Sequence, residues 1–413
     1  MVVHENKKIY KSYYWQKFLK NYTIDDYQLN EEVHMRKIIF HIKFLLLTLI
    51  FFSQLTIPIT NIAFSQTSPE TAAEQWSLRQ TEIEQLYQEE DLQGALNIAQ
   101  EAVSLAETAF GYASLETISS LLLQAQIHSE LDQLEEANQI YQTALETTVS
   151  AFGESDAATL SVLDSYGQFL NSIDPEMAEP ILTEALRLTE NEDPQRAARM
   201  KALGQNFQEM GRNSEAEAML NEALKVFQTL LGEKDLETLS AMSVLAQLQM
   251  SQGKLKPAQE LFETALPLMR EVLDENSFLT LESKENLGEI YRQQGNFPQA
   301  ETLFKETITA TETEYGEEEP LVIQAKSHLA QLYEDTGKLK QALALHQQVY
   351  ETDLAMLGEN HPNTAGDLNN LASVRRRLGD YQKAENLFRQ SLDIMISVLG
   401  EDSPQAVSVM NNL

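Results

Sequence analysis

A chain of 413 residues is longer than one hydrophobic core usually organises, and with only 16 glycines and 11 prolines it is poor in turn punctuation, which favours helices. The formal net charge of −33 comes wholly from the chain after residue 65, and so negative a surface repels phosphate backbones and anionic headgroups, which argues against nucleic acid as a partner and for a basic or neutral one. The lack of cysteine removes disulfides, thiolate catalysis, Cys-ligated zinc and an acylated lipoprotein cysteine.

Residues 1–34, rich in Tyr and Lys (KKIYKSYYWQKFLKNY), share nothing with the rest of the chain and are expected to be an upstream extension, with translation starting at Met35. Residues 35–65 then have a basic start (Arg36, Lys37, Lys43), an apolar centre from Phe44 to Phe52 and a small-x-small site at Ala63 and Ser65. That order describes a secretory signal peptide cleaved before Gln66, so the bulk of the chain is expected outside the cytoplasm, in the periplasm or beyond. If uncleaved, residues 38–57 would act as a membrane anchor.

From residue 66 onward a repeat governs the chain. Gly111, Gly153, Gly232, Gly316, Gly358 and Gly400 recur with a basic step of 42 residues. Asp274 fills one missing position, and one unit is shortened by five residues around Glu190. Alanine stands at 95, 137, 178, 216, 258, 300, 342 and 384, with an aliphatic residue three positions later and often an aromatic at four, as in Tyr141, Phe262, Phe304 and Phe388. Eleven or twelve residues before each alanine from the second unit onward lies another small residue: Ala125, Gly167, Gly204, Ala246, Gly288, Ala330 and Ala372.

Paired helices explain these columns. Small residues let two backbones approach, and the residues at i+3 and i+4 fill the seam on the same face. Gly211, Gly253, Gly295, Gly337 and Gly379 precede the alanines by five, where a helix ends in left-handed geometry. Pro194, Pro320, Pro362 and Pro404 follow Asp193, Glu319, His361 and Ser403, marking helix starts. No hairpin could bury its seam alone, so neighbours must stack. The last residues, ending at Leu413, are expected to be the first helix of an incomplete ninth unit of a longer protein.

The stretch LGENHPNTAGDLNNLASVRRRLGDYQKAENLFRQSL closely resembles the 42-residue tetratricopeptide repeats of kinesin light chain, and the pattern covers roughly residues 70–413. Glu90 and Asp132 depart from it where glycine is expected, as does the shortened stretch Asn171–Ala178. The resemblance implies an all-α, right-handed α-solenoid of about eight helix-turn-helix repeats whose first helices line a concave face that binds a peptide or partner protein. Carried onto this register, the lining column is Gln126, Gln168, Gln205, Gln247, Glu289, Gln331 and Ser373. Glutamine amides suit an extended backbone, although glutamine is also simply a good exposed helix former. Asn369 and Asn370 resemble the family's ligand-contacting asparagines, and Arg376, within Arg375–Arg377, is a candidate for a carboxylate-bearing ligand.

No nucleotide-binding, hydrolase or metal-site motif occurs, and His128, His328, His346 and His361 fall in different units or on different faces without metal-ligand spacing. A non-enzymatic scaffold with no cofactor or metal is expected. The resemblance implies one alternative: bacterial arrays of this type often precede a caspase-like peptidase or a nucleotide-binding signalling domain, which would make this chain the sensory part of a longer protein.

Overall fold

The computed structural model describes residues 69–413 apart from 90, 191 and 192. The extension 1–34, the signal segment 35–65 and Glu90 lie outside the described residues. Among the described residues the chain forms seventeen α-helices. They pair as α1 (Pro69–Gln88) with α2 (Leu92–Phe110), α3 (Leu115–Glu130) with α4 (Leu134–Phe152), α5 (Ala157–Ile173) with α6 (Pro175–Leu188), and α7 (Pro194–Glu209) with α8 (Asn213–Leu230). The series continues as α9 (Leu236–Ser251) with α10 (Leu255–Val272), α11 (Phe278–Gln293) with α12 (Phe297–Tyr315), α13 (Pro320–Asp335) with α14 (Leu339–Leu357), and α15 (Pro362–Arg377) with α16 (Tyr381–Leu399). α17 (Pro404–Asn412) comes last, as a first helix. Each helix packs on its chain neighbours, and from α3 to α13 successive first helices also touch one another, so the all-α solenoid has an inner wall of first helices.

Local chemistry sets the helix ends. Asp156, Asp193 and Asp235 accept backbone N–H bonds at 2.8–2.9 Å, and Ser114 and Ser403 accept at 3.1 and 3.3 Å. His361 caps as well, its Nδ1 accepting from the Asn363 N–H at 3.2 Å, whereas Glu319 makes no side-chain capping bond. Between the helices of a pair, Gly253 at φ +72° lets the Lys254 N–H return to the Gln249 carbonyl at 2.8 Å, closing the end of α9. Asp132 adopts the same left-handed region at φ 59°, and Asp274 has φ 123° in the turn between units, so aspartate stands in where glycine is missing.

The small columns are where backbones meet. Every alanine from Ala95 to Ala384 in that column is at most 2% exposed. In the opposing column a Cβ on Gly288 would lie 2.9 Å from Cε1 of Phe304, and one on Gly204 would lie 2.8 Å from Cγ of Leu220. The residue four places after each alanine is buried throughout; His346 takes this place in the seventh unit, with Nε2 3.0 Å from Oε1 of Glu334.

The shortened unit is repaired by side chains. Asp174 ends α5 and caps α6 by accepting from the Glu176 N–H at 3.0 Å, so one residue replaces the usual turn. Asn206, fully buried, donates Nδ2 to the Pro175 carbonyl and to Oδ1 of Asn171, each at 2.7 Å. At the far end of α6, Nη1 of Arg196 donates to the carbonyls of Leu186 and Thr189 at 3.0 and 3.1 Å, adding to the Thr189 N–H bond that closes the helix end.

Candidate partner-binding face

The inner wall is stitched by polar side chains reaching from one first helix to the next. Arg199 on α7, 6% exposed, makes a bidentate pair with Asp164 on α5 at 2.8 and 2.7 Å and donates to Oγ1 of Thr189 at 2.7 Å. Lys201 reaches Glu237 and Ser240 on α9, and Ser243 meets Ser283 at 3.1 Å. On α11, fully buried Glu285 binds Nδ1 of His328 and accepts from Gln324 at 3.1 Å. Arg292 continues to Asp335, and Arg377 to Glu334 at 2.9 Å. Apart from the bond to Thr189, these bonds join residues 35 to 43 apart in the chain, so they fix the stacking of units as well as lining the wall.

The lining column divides along this wall. Gln126, Gln168 and Gln205 are exposed, Gln126 donating to Glu130 at 2.9 Å on its own helix. Gln247 is half-buried and donates to Glu282 of the next first helix, which shows where the column points. Burial pushes the Glu282 carboxyl above its ordinary range and the Gln247 bond draws it back. By register, Ser161, Ala198 and Ser240 hold the place of Glu282 in the earlier units, and such short side chains leave the preceding glutamines uncovered. Glu289 is buried, with both oxygens taken by Arg292 at 2.7 and 2.8 Å and a further bond from Gln293 at 2.8 Å. Gln331 and Ser373 are half-buried. The open, amide-rich part of the wall is therefore the run from α3 to α7.

At the other end, Asn369 accepts from Nδ2 of Asn412 at 2.9 Å, and Arg376 donates to the Asn412 carbonyl at 3.0 Å with its guanidinium 5.7 Å from the Phe388 ring centroid. These two join α15 to α17, while Asn370 lies beside them, half-buried. Arg375 pairs with Asp380 at 3.6 Å. A cleft of about 850 Å³ opens elsewhere, between α12 and α14, but its cations are engaged: Lys326 by Glu312 and Lys305 by Glu301, both at 2.7 Å. Among the described residues no group of three or more metal-ligating side chains gathers, and no helix is long and apolar enough to cross a membrane.

One recurrent element escaped sequence reasoning. Thr117, Thr159, Thr238, Thr280 and Thr364, all at most 1% exposed, each donate Oγ1 to the carbonyl six residues back, on Gly111, Gly153, Gly232, Asp274 and Gly358. The spacing Gly-x5-Thr was its visible signal. The clasp orients each first helix against the preceding turn, and Arg196 occupies the same register position in the shortened unit.

A family model for the tetratricopeptide repeat matches residues 196–271, 277–355, 354–397 and 364–413, together over half of the chain. No curated protein gave a match to the sequence. Among solved structures, the apo form of the quorum sensor NprR from B. thuringiensis is 13% identical, over 88% of this chain and 95% of that one, with a TM-score of 0.59. A signal transduction ATPase with numerous domains and a tetratricopeptide repeat sensor, from Pyrococcus horikoshii, is 14% identical over 78% of this chain and 48% of that one, with a TM-score of 0.54. Kinesin light chain repeats from Podospora anserina are 22% identical over 50% of this chain and 99% of that one, with a TM-score of 0.44. With the repeat columns, the clasped turns and the matched segments all in one register, the chain belongs to the tetratricopeptide repeat family.

Proposed function

We propose that this protein is an exported, non-enzymatic scaffold that holds an extended peptide or a partner segment against its inner wall between α3 and α7. Repeats of this family generally serve protein–protein interaction, which supports the scaffold reading. The observation that carries the location is the exposure of Gln126, Gln168 and Gln205 in a row, where the rest of the column is covered or bonded. Three amides at one-repeat intervals offer donors and acceptors to a main chain running along the wall. Replacing all three by alanine is expected to weaken partner capture by the full chain while leaving helicity unchanged; capture at wild-type strength by a folded triple variant would remove the assignment.

Export rests on the segment 35–65, and sequencing the amino terminus of the mature protein tests it: a start at Gln66 supports cleavage, a retained segment supports an anchor. A second reading, the sensory part of a longer signalling protein, draws support from the likeness to the P. horikoshii ATPase, of which this chain spans about half. Reading the gene beyond Leu413 separates the two.

A further inference from the structure

The 42-residue register brings one fixed pair of positions together wherever a second helix meets the next first helix. Phe227 with Ala241, Met269 with Ser283 and Met395 with Val409 are such pairs, each member at most 5% exposed. In the junction between α14 and α15 the same two positions hold Asp353 and Asp367, which are 5% and 7% exposed and lie within hydrogen-bonding reach of each other. Oδ2 of Asp367 is buried and receives no donor from the described residues. Two carboxylates closed off from water repel each other and lack solvation, whereas a single shared proton turns the contact into an O–H···O bond.

Among the described residues, nothing cationic offsets the pair. Of the elements packed around it, α13 has its Lys326 on Glu312 and its Asp335 on Arg292. On α14, His346 bonds Glu334 and Glu351 lines the cleft toward α12. On α15, Arg375 and Arg377 pair with Asp380 and Glu334, Arg376 reaches the Asn412 carbonyl, and His361 caps the helix start. On α16, Lys383 and Arg389 pair with Asp380 and Glu385. Asp353 is the charged neighbour that acts on Asp367.

We propose that Asp353 and Asp367 make the junction between α14 and α15 a proton-sensitive joint, firm while Asp367 keeps its proton against Asp353 and loosened once Asp367 is ionised. Burial first, and the charge of Asp353 next, push the Asp367 carboxyl up to about 8. The folded pair therefore binds a proton that the unfolded chain has already released above the ordinary carboxylate range, so stability at this joint falls as pH rises from that range through about 8 and levels off above it. What loosens is the end of the array that carries Asn369, Asn370 and Arg376.

Amide hydrogen exchange on the full chain tests this, at about pH 6 and about pH 9 after correction for intrinsic exchange. Protection of α15 and α16 is expected to drop by about tenfold or more at the higher pH, with α7 to α10 unchanged, and Asp367→Asn is expected to abolish the drop. Equal protection of α15 and α16 at both pH values, or an Asp367→Asn protein that keeps the wild-type drop, overturns the proposal. Should that variant fail to fold, carboxyl-carbon NMR of the wild-type chain decides: an Asp367 titration above the ordinary carboxylate range supports the joint, and one within that range overturns it.

Discussion

Thr238, buried in the first turn of α9, donates its hydroxyl to the carbonyl oxygen of Gly232 in the preceding loop at 2.8 Å. Losing the hydroxyl leaves that carbonyl with only the long bond from the Asp235 N–H at 3.5 Å. Thr238→Val is expected to cost about 0.5–1.5 kcal/mol in chemical unfolding, the net worth of one intramolecular hydrogen bond. The seventh unit offers the reverse experiment, because Val322 fills the clasp position six residues after Gly316. Val322→Thr is expected to gain about 0.5–1.5 kcal/mol; a loss on that substitution would mean the clasp does not stabilise the turn.

Helical glycines should respond in opposite ways according to their neighbours. At Gly288 an added methyl meets the Phe304 ring at 2.9 Å, whereas at Gly366 nothing lies within 4 Å. Gly288→Ala is expected to destabilise by about 1–3 kcal/mol through overpacking, more than the helix propensity returns. Gly366→Ala is expected to stabilise by about 0.5–1 kcal/mol. Melting temperatures of the two variants, read side by side, check the pair.

Asp164 holds the buried guanidinium of Arg199, so Asp164→Ala strands a charge. The expected loss is about 3–5 kcal/mol. The exposed pair of Lys234 and Glu271, with 57% and 59% side-chain exposure, is a fair control, and breaking it should cost under about 1 kcal/mol. Urea unfolding of both variants at one ionic strength makes the comparison.

His328 gives the wall a pH dependence of defined sign. Burial lowers the affinity of the ring for a proton, but Glu285, with Glu289 behind it, outweighs this and raises the imidazolium above its ordinary 6.5. A raised folded value means that the stabilisation is fully present below 6.5 and is lost as pH climbs through the folded value. The stability difference between wild type and His328→Gln should therefore be larger at acidic pH and shrink on going alkaline. A difference that stays constant across the titration would contradict the Glu285 pairing.

The helical pairs could be read directly because most units repeat the same local chemistry: an alanine seam, a left-handed turn, and a capping side chain at the helix start. Asp132 and Asp274 even mark the turns where glycine is absent. The condition of each wall residue could not be read the same way. Gln205 and Glu289 share one column, yet only Glu289 is covered, because Arg292 folds back on it from the next turn. Asn369 and Arg376 read as ligand contacts in the linear chain, and their bonds to Asn412, some 40 residues on, could not be read there. The carboxyl pair at 353 and 367 was likewise hidden, since nothing short of the stacked register brings those positions into one seam.

Site-specific photo-crosslinking tests the central claim most directly. A benzophenone side chain placed at Gln126, Gln168 or Gln205 faces the inner wall, while one at Thr264, exposed on second helix α10, faces away. Irradiation of cells that make the protein should give the same covalent partner adduct from all three glutamine positions and none from Thr264. Adducts from Thr264 with the glutamine positions silent would contradict the account.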